Sequence, residues 1–226
     1  SARPFNPMVI LRNRYGGAME SMVWAMVPDS SVTDSSGRVQ DTMSMRERRD
    51  DECVALYRQG DMRAFEELVR RYQDRVYRFV LRMVGSREES LDLAQETLLK
   101  AFQGLPRWRP QAQFSTWLFQ IARNTAIDAL RRRKLVEYVP IGDDVDLPDQ
   151  GLSPESQLQL VQRCRNLQAA LLRLSPEHRE VLLLREVEEM AYDEIAETLG
   201  LPEGTVKSRL ARARLELLAI CRHGTY

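Results

Sequence analysis

Residues 191–200 read AYDEIAETLG and residues 201–218 read LPEGTVKSRLARARLELL, and the join between them decides the fold. The first stretch predicts a short helix stopping at Gly200, and the second a new helix starting around Pro202, because glycine suits a helix end and proline a first turn. Ile195, Ala196, Leu199 and Val206 supply the apolar contact between the two, Ala196 being small enough for close helix crossing. This spacing is that of a helix-turn-helix. Along the second helix Lys207, Ser208, Arg209, Arg212 and Arg214 cover much of one side, while Val206, Leu210, Ala213 and Leu217 keep the other apolar. Taken alone, such a helix is best read as solvated and amphipathic, with snorkelling arginines. With a partner helix and a tight turn before it, it fits a DNA major groove, where long basic side chains reach base edges and phosphates.

Working outward from that motif, Ser175 with Pro176 and Ser153 with Pro154 each place an N-cap and a first-turn proline, so the C-terminal part is helical throughout. Before it, residues 135–153 are rich in Asp, Pro and Gly and read as a flexible linker. Further back, Phe65, Leu68, Val69, Tyr72, Val76, Phe79, Val80 and Met83 recur at helical intervals after a capping Asp61, and Gly85 ends that helix. Ser86 followed by Glu89 makes a capping box that opens a second helix running to Gly104 and Pro106, and a third spans roughly 115–134. No strand-period segment or internal repeat stands out. The fold expected is all-α, with two small helical domains joined by an acidic flexible linker, the second ending in the helix-turn-helix. The domains are 46–134 and 154–226, with 135–153 between them. Residues 1–45 mix Met, Ser, Gly and Pro without periodicity and read as a disordered extension, part of it dispensable for folding.

Composition narrows the function classes. The chain of 226 residues is 43% hydrophobic and 29% charged, with no apolar run of membrane-spanning length, so no membrane insertion is expected. Cys53, Cys164 and Cys221 are odd in number, far apart and without a CxxC pair, which suggests a reducing cytoplasm rather than disulfides or a zinc ribbon. Cys221 and His223 lack a second ligand pair nearby, so no metal and no cofactor is expected. Without a Gly-rich phosphate loop or a nucleophile beside a base, and with His178 reading as a first-turn residue, the chain is not expected to be an enzyme. Net charge is zero, but it is blocked: residues 107–134 hold seven basic residues (Arg107, Arg109, Arg123, Arg131, Arg132, Arg133, Lys134) against Asp128 alone. Residues 135–155 then hold six acids and no Lys or Arg. Such blocks suit a protein whose separate surfaces meet separate partners.

Two further stretches carry chemistry. In FSTWLFQIARNTAIDALRRRK, residues 114–134, aromatic rings and cations share one helix, as single-stranded DNA requires: bases stack on rings while Arg and Lys track phosphates. Trp117, Leu118, Ile121, Ala122 and Leu130 have core spacing, however, so Asn124 and the basic residues are favoured over Trp117 as contacts. In DLAQETLLKAF, residues 92–102, Asp92, Gln95 and Glu96 stand together on one polar face, where a partner protein could dock or water could lie.

Together these stretches resemble a sigma factor of the extracytoplasmic-function group. DLAQETLLKAF is similar to the polymerase-binding helix of sigma region 2, FSTWLFQIARNTAIDALRRRK to its promoter-melting and minus-ten-reading segment, and LSPEHREVLLLRE with AYDEIAETLGLPEGTVKSRLARAR to region 4. The resemblance covers about residues 50–222. It implies that Asp92, Gln95 and Glu96 contact the clamp helices of the largest subunit of core RNA polymerase. It implies capture of an unstacked minus-ten base by Asn124 and Gln120 with the 107–113 loop, alongside Arg107, Arg109, Arg123, Arg131 and Arg132. The minus-thirty-five element falls to Thr205, Lys207, Ser208, Arg209 and Arg212, with Arg185 and Tyr192 on phosphates. Promoter DNA and an anti-sigma protein are the other implied partners, in a stress or envelope-signal response, and the acidic linker is placed in the RNA exit path. Where that family has Gly and then Ser or Thr before the region 4 tyrosine, this chain has Glu189 and Ala191, losing a flexible residue and a capping hydroxyl. The alternative is a stand-alone helix-turn-helix regulator. The zero net charge leans against it, since an unaided binder needs many phosphate contacts.

Overall fold

The structure, a computed structural model, describes residues 45–109, 112–133 and 154–223. Most of the expected extension (1–44) and the whole acidic linker (135–153) lie outside the described residues, as do Lys134 and two residues of the 107–113 loop. Every described element is helical: α1 (Asp50–Arg58), α2 (Met62–Val84), α3 (Arg87–Gly104), α4 (Phe114–Arg133), α5 (Pro154–Arg173), α6 (Pro176–Leu182), α7 (Tyr192–Leu199) and α8 (Glu203–His223). A π-helical turn, Leu183–Val187, prolongs α6. Among the described residues no helix is long and apolar enough to cross a membrane. The chain divides into two compact units, Ser1–Arg71 and Tyr72–Tyr226, and α2 runs unbroken through the cut.

In the first unit α1 packs Cys53 and Val54 with Phe65, Leu68 and Val69 of α2, all at most 1% exposed. Burial pushes the Cys53 thiol up, the mark of a structural cysteine. Arg71 ties the unit together: its guanidinium donates to Asp50 at 2.8 Å, to Glu67 at 3.0 Å and to the Met45 carbonyl at 2.9 Å. The sequence reading did not resolve α1 as an element, because its nine residues carry only two buried side chains.

The second unit confirms the punctuation read from the sequence. The Ser86 hydroxyl accepts from the Glu89 N–H at 3.3 Å to start α3, and Ser175 accepts from the His178 N–H at 3.3 Å to start α6. Gly85 closes α2 at φ 81°, a backbone conformation that favours glycine, and a Cβ there would push aside the methyl groups of Leu172. Phe79 of α2 meets Phe119 of α4 edge to face at 5.4 Å, both rings wholly buried; each such burial contributes about 1.5–3 kcal/mol.

Arg179 of α6 is buried among carbonyls rather than carboxylates. It donates to Leu171 at 2.9 Å, to Leu172 at 2.7 Å, to Leu174 at 2.9 Å and to Met83, so it caps the ends of both α5 and α2. Burial lowers its pKa to about 10, which leaves it charged at neutral pH.

Candidate nucleic-acid interface

The helix-turn-helix forms as the sequence reading expects. Gly200 stands at φ 64° between α7 and α8, and Ile195, Val206, Leu210 and Ala213 are buried to 1% exposure or less. The start of α7 takes an unusual route. Glu189 occupies the left-handed region at φ 57°, the position where the resembled family carries glycine. Ala191 has no side chain to cap with, and the Glu194 carboxylate accepts its N–H at 2.7 Å instead. The departures noted in the sequence therefore fall on a strained residue and on a cap supplied from the third helical position.

On α8 Lys207, Ser208 and Arg212 are exposed, Thr205 is partly exposed, and Arg209 is only 24% exposed at its side chain. Lys207 pairs with Glu203 at 2.5 Å, and that carboxylate holds the ammonium above its ordinary pKa. Tyr192 brings α7 into the same surface: Arg185 lies over its ring at 4.9 Å and Lys207 at 5.3 Å. Arg185 also donates to the Met190 carbonyl at 2.6 Å. The expected duplex-reading residues thus share one surface, but Arg209 is turned inward.

At the head of α4 a cleft of about 340 Å³ is lined by Arg107, Trp108, Arg109, Trp117 and Gln120. Trp108 is buried and stacks obliquely on Trp117 at 6.2 Å, while Phe114 and Phe119 belong to the core. Trp117, which helical spacing alone assigned to the core, is half-buried and walls the cleft. Thr116, also at its wall, has a buried hydroxyl without a hydrogen-bond partner. Arg107, Arg109 and Arg132 are exposed and form no ion pair with a described residue. Asn124 is exposed one residue beyond Arg123, whose Nη1 donates to its amide oxygen at 3.1 Å. Arg131 pairs loosely with Asp128 at 3.6 Å, and Arg133 holds the Val84 carbonyl at 2.8 Å and Glu89.

Arg123 is not among the residues lining the cleft. Its guanidinium forks onto Glu180 of α6 at 2.8 and 3.3 Å, and Arg209 of α8 reaches the same carboxylate at 3.4 Å. Glu180 is wholly buried. Glu197 of α7 lines the cleft beside the α4 residues. The sequence reading missed Glu180 and Glu197, since both sit in charged helical stretches that look like solvated faces. On α3, Asp92 is exposed, and Gln95 and Glu96 are half-exposed beside it, with Glu96 paired to Lys100 at 2.7 Å.

Residues 68–136 match the family described as Sigma-70 region 2, and residues 164–217 match Sigma-70, region 4. The chain is 32% identical over 169 residues to the ECF RNA polymerase sigma factor SigW of Bacillus subtilis (strain 168), covering 71% of this chain and 90% of that protein. The chain belongs to the ECF sigma factors. A second relative, the ECF RNA polymerase sigma factor SigE of Mycolicibacterium smegmatis (strain ATCC 700084 / mc(2)155), is 37% identical over 160 residues, and the match spans 62% of its length. Among solved structures, the sigma factor RpoE from Bartonella quintana, in complex with the anti-sigma factor NepR, superposes with a TM-score of 0.57 at 26% identity, covering 70% of this chain and 96% of that one. These findings favour the sigma-factor reading of this ECF chain over the stand-alone regulator. α3 and the cleft residues Arg107 to Gln120 fall in its region 2, and α7, including Glu197 at the cleft wall, falls with most of α8 in its region 4.

Proposed function

We propose that this ECF sigma factor docks on core RNA polymerase through Asp92, Gln95 and Glu96 of α3 and reads promoter DNA at two separate surfaces. The observation that carries this reading is the presence, on one chain, of an aromatic and cationic cleft and a helix-turn-helix with an exposed basic face. Residues 46–134 act as the polymerase-binding and minus-ten domain, and residues 154–226 as the minus-thirty-five domain. Trp108 and Trp117 give the cleft the rings on which an unstacked base can lie, Gln120 and Asn124 offer amides for its edge, and Arg107, Arg109, Arg131 and Arg132 follow the phosphates. Lys207, Ser208 and Arg212 enter the major groove at the minus-thirty-five element, Arg209 braces their helix against Glu180, and Thr205, Arg185 and Tyr192 lie against the backbone. The zero net charge supports division of labour: the polymerase holds the DNA and this chain chooses where. The protein acts in the cytoplasm under the control of an anti-sigma factor, as the complex of the solved relative supports, and performs no catalysis itself.

Site variants in a transcription system reconstituted with core polymerase test this reading. Asp92→Ala with Glu96→Ala is expected to lose holoenzyme assembly. Asn124→Ala is expected to keep assembly but lose open complexes, and Arg212→Ala to weaken promoter binding by about 1–3 kcal/mol. Normal assembly by the α3 double variant would remove that face from the account.

A further inference from the structure

Acidic side chains repel the DNA backbone, yet α8 begins with one. Of the two acids in this helix, Glu216 meets His178 of α6 at 2.5 Å, whereas Glu203 stands at the first helical residue with the Lys207 ammonium 2.5 Å away. Glu203 and Lys207 are both exposed, and at Gly204, next to Glu203, a Cβ would meet nothing within 4 Å. We infer that Glu203 and Lys207 together read one C·G base pair of the minus-thirty-five element, Glu203 accepting from cytosine N4 while Lys207 donates to guanine O6 and N7. This inference rests on the major-groove role proposed above for α8, and it adds Glu203 as a specificity-determining residue.

The chemistry of the two edges is complementary. In the major groove a C·G pair sets a donor, cytosine N4, beside an acceptor, guanine O6, about 3 Å apart, with guanine N7 as a further acceptor. The Glu203–Lys207 pair presents the reverse array, an acceptor 2.5 Å from a group with three donor hydrogens. An A·T pair also offers a donor beside an acceptor, but the thymine methyl stands where C·G has guanine N7. The ammonium then loses one acceptor and meets a methyl group instead.

Three observations separate this role from that of a helix-stabilising surface pair. The Lys207 ammonium is also held over the Tyr192 ring at 5.3 Å, so donor and acceptor are in place before DNA arrives. Gly204 leaves the first turn open, which lets base edges come close to the helix. Glu203 occupies the N-terminal turn, the part of a recognition helix that meets base edges. A carboxylate there is opposed by every phosphate and compensated only by a base donor, so it penalises wrong sequences more than the right one.

Binding by holoenzyme assembled from the full-length chain and core RNA polymerase tests this. The probes are fluorescein-labelled promoter duplexes in which each position of the minus-thirty-five element is changed in turn to all four base pairs. Wild type is expected to prefer C·G about tenfold at one position, and Glu203→Ala to lose that preference while binding the other sequences as tightly or more tightly. Freeing Lys207 for a phosphate should also steepen the slope of log K against log salt by about one. Lys207→Ala is expected to lose the preference at the same position. An equal loss on all sequences by Glu203→Ala would make Glu203 a helix-stabilising residue and overturn the proposal. An unchanged preference in that variant, or effects of the two variants at different positions, would overturn it as well. Wild-type holoenzyme indifferent to every position would remove the minus-thirty-five reading itself, and the joint reading with it.

Discussion

Glu189 shows how a single backbone angle can be foreseen from a sequence. Its φ of 57° is costly for a residue with a Cβ, and glycine is what the resembled family places there. Because the side chain is exposed, its replacement disturbs no packing. Glu189→Gly is therefore expected to stabilise the chain by about 0.5–1 kcal/mol, the relieved strain being partly offset by the greater freedom of the unfolded chain. Thermal unfolding should show a rise of about 1–4 °C, and a lower melting temperature would mean that Glu189 makes a compensating contact. The signal was present in the sequence as a missing glycine. No comparable signal marks Glu180, which sits in PEHREV, where alternating charge reads as a wet surface. Only the packing of α6 against α4 and α8 turns that position inward.

At the scale of elements, caps and periodicity made α2, α3, α4 and α6 to α8 legible, because those signals act within one or two helical turns. The π turn Leu183–Val187 was not legible, since nothing local distinguishes LLREV from ordinary helix. Its consequence is the buried Glu188 that follows. Burial raises the pKa of this carboxyl above the ordinary glutamate value of 4.5, while Arg75 opposes the shift. A raised folded-state pKa means that the folded chain binds the proton more tightly than the unfolded one. The stability this group contributes is complete below 4.5 and is lost as pH climbs through the raised value. Glu188→Gln does not titrate, so its melting temperature relative to wild type should rise from pH 4.5 upward and then level off. A relative melting temperature that falls over the same range would show that the pairing with Arg75 outweighs burial.

For the whole molecule, the residues of the two proposed DNA-reading surfaces could be picked out from the sequence, because each set lies close together along one or two helices. It did not show how those surfaces meet. That depends on pairs 57 and 29 residues apart, Arg123 with Glu180 and Glu180 with Arg209, which no periodicity links. Trp117 marks the same boundary: helical spacing assigned it to the core, and only tertiary structure makes it a wall of the cleft. The account as a whole requires a chain that chooses start sites for a polymerase unable to choose them alone. The most direct measurement maps transcript starts from a bacterial genomic template transcribed by core RNA polymerase with and without the purified chain. The account predicts new starts preceded by a shared pair of elements near minus ten and minus thirty-five, weakened by Asn124→Ala and Arg212→Ala respectively. An unchanged set of starts would contradict it.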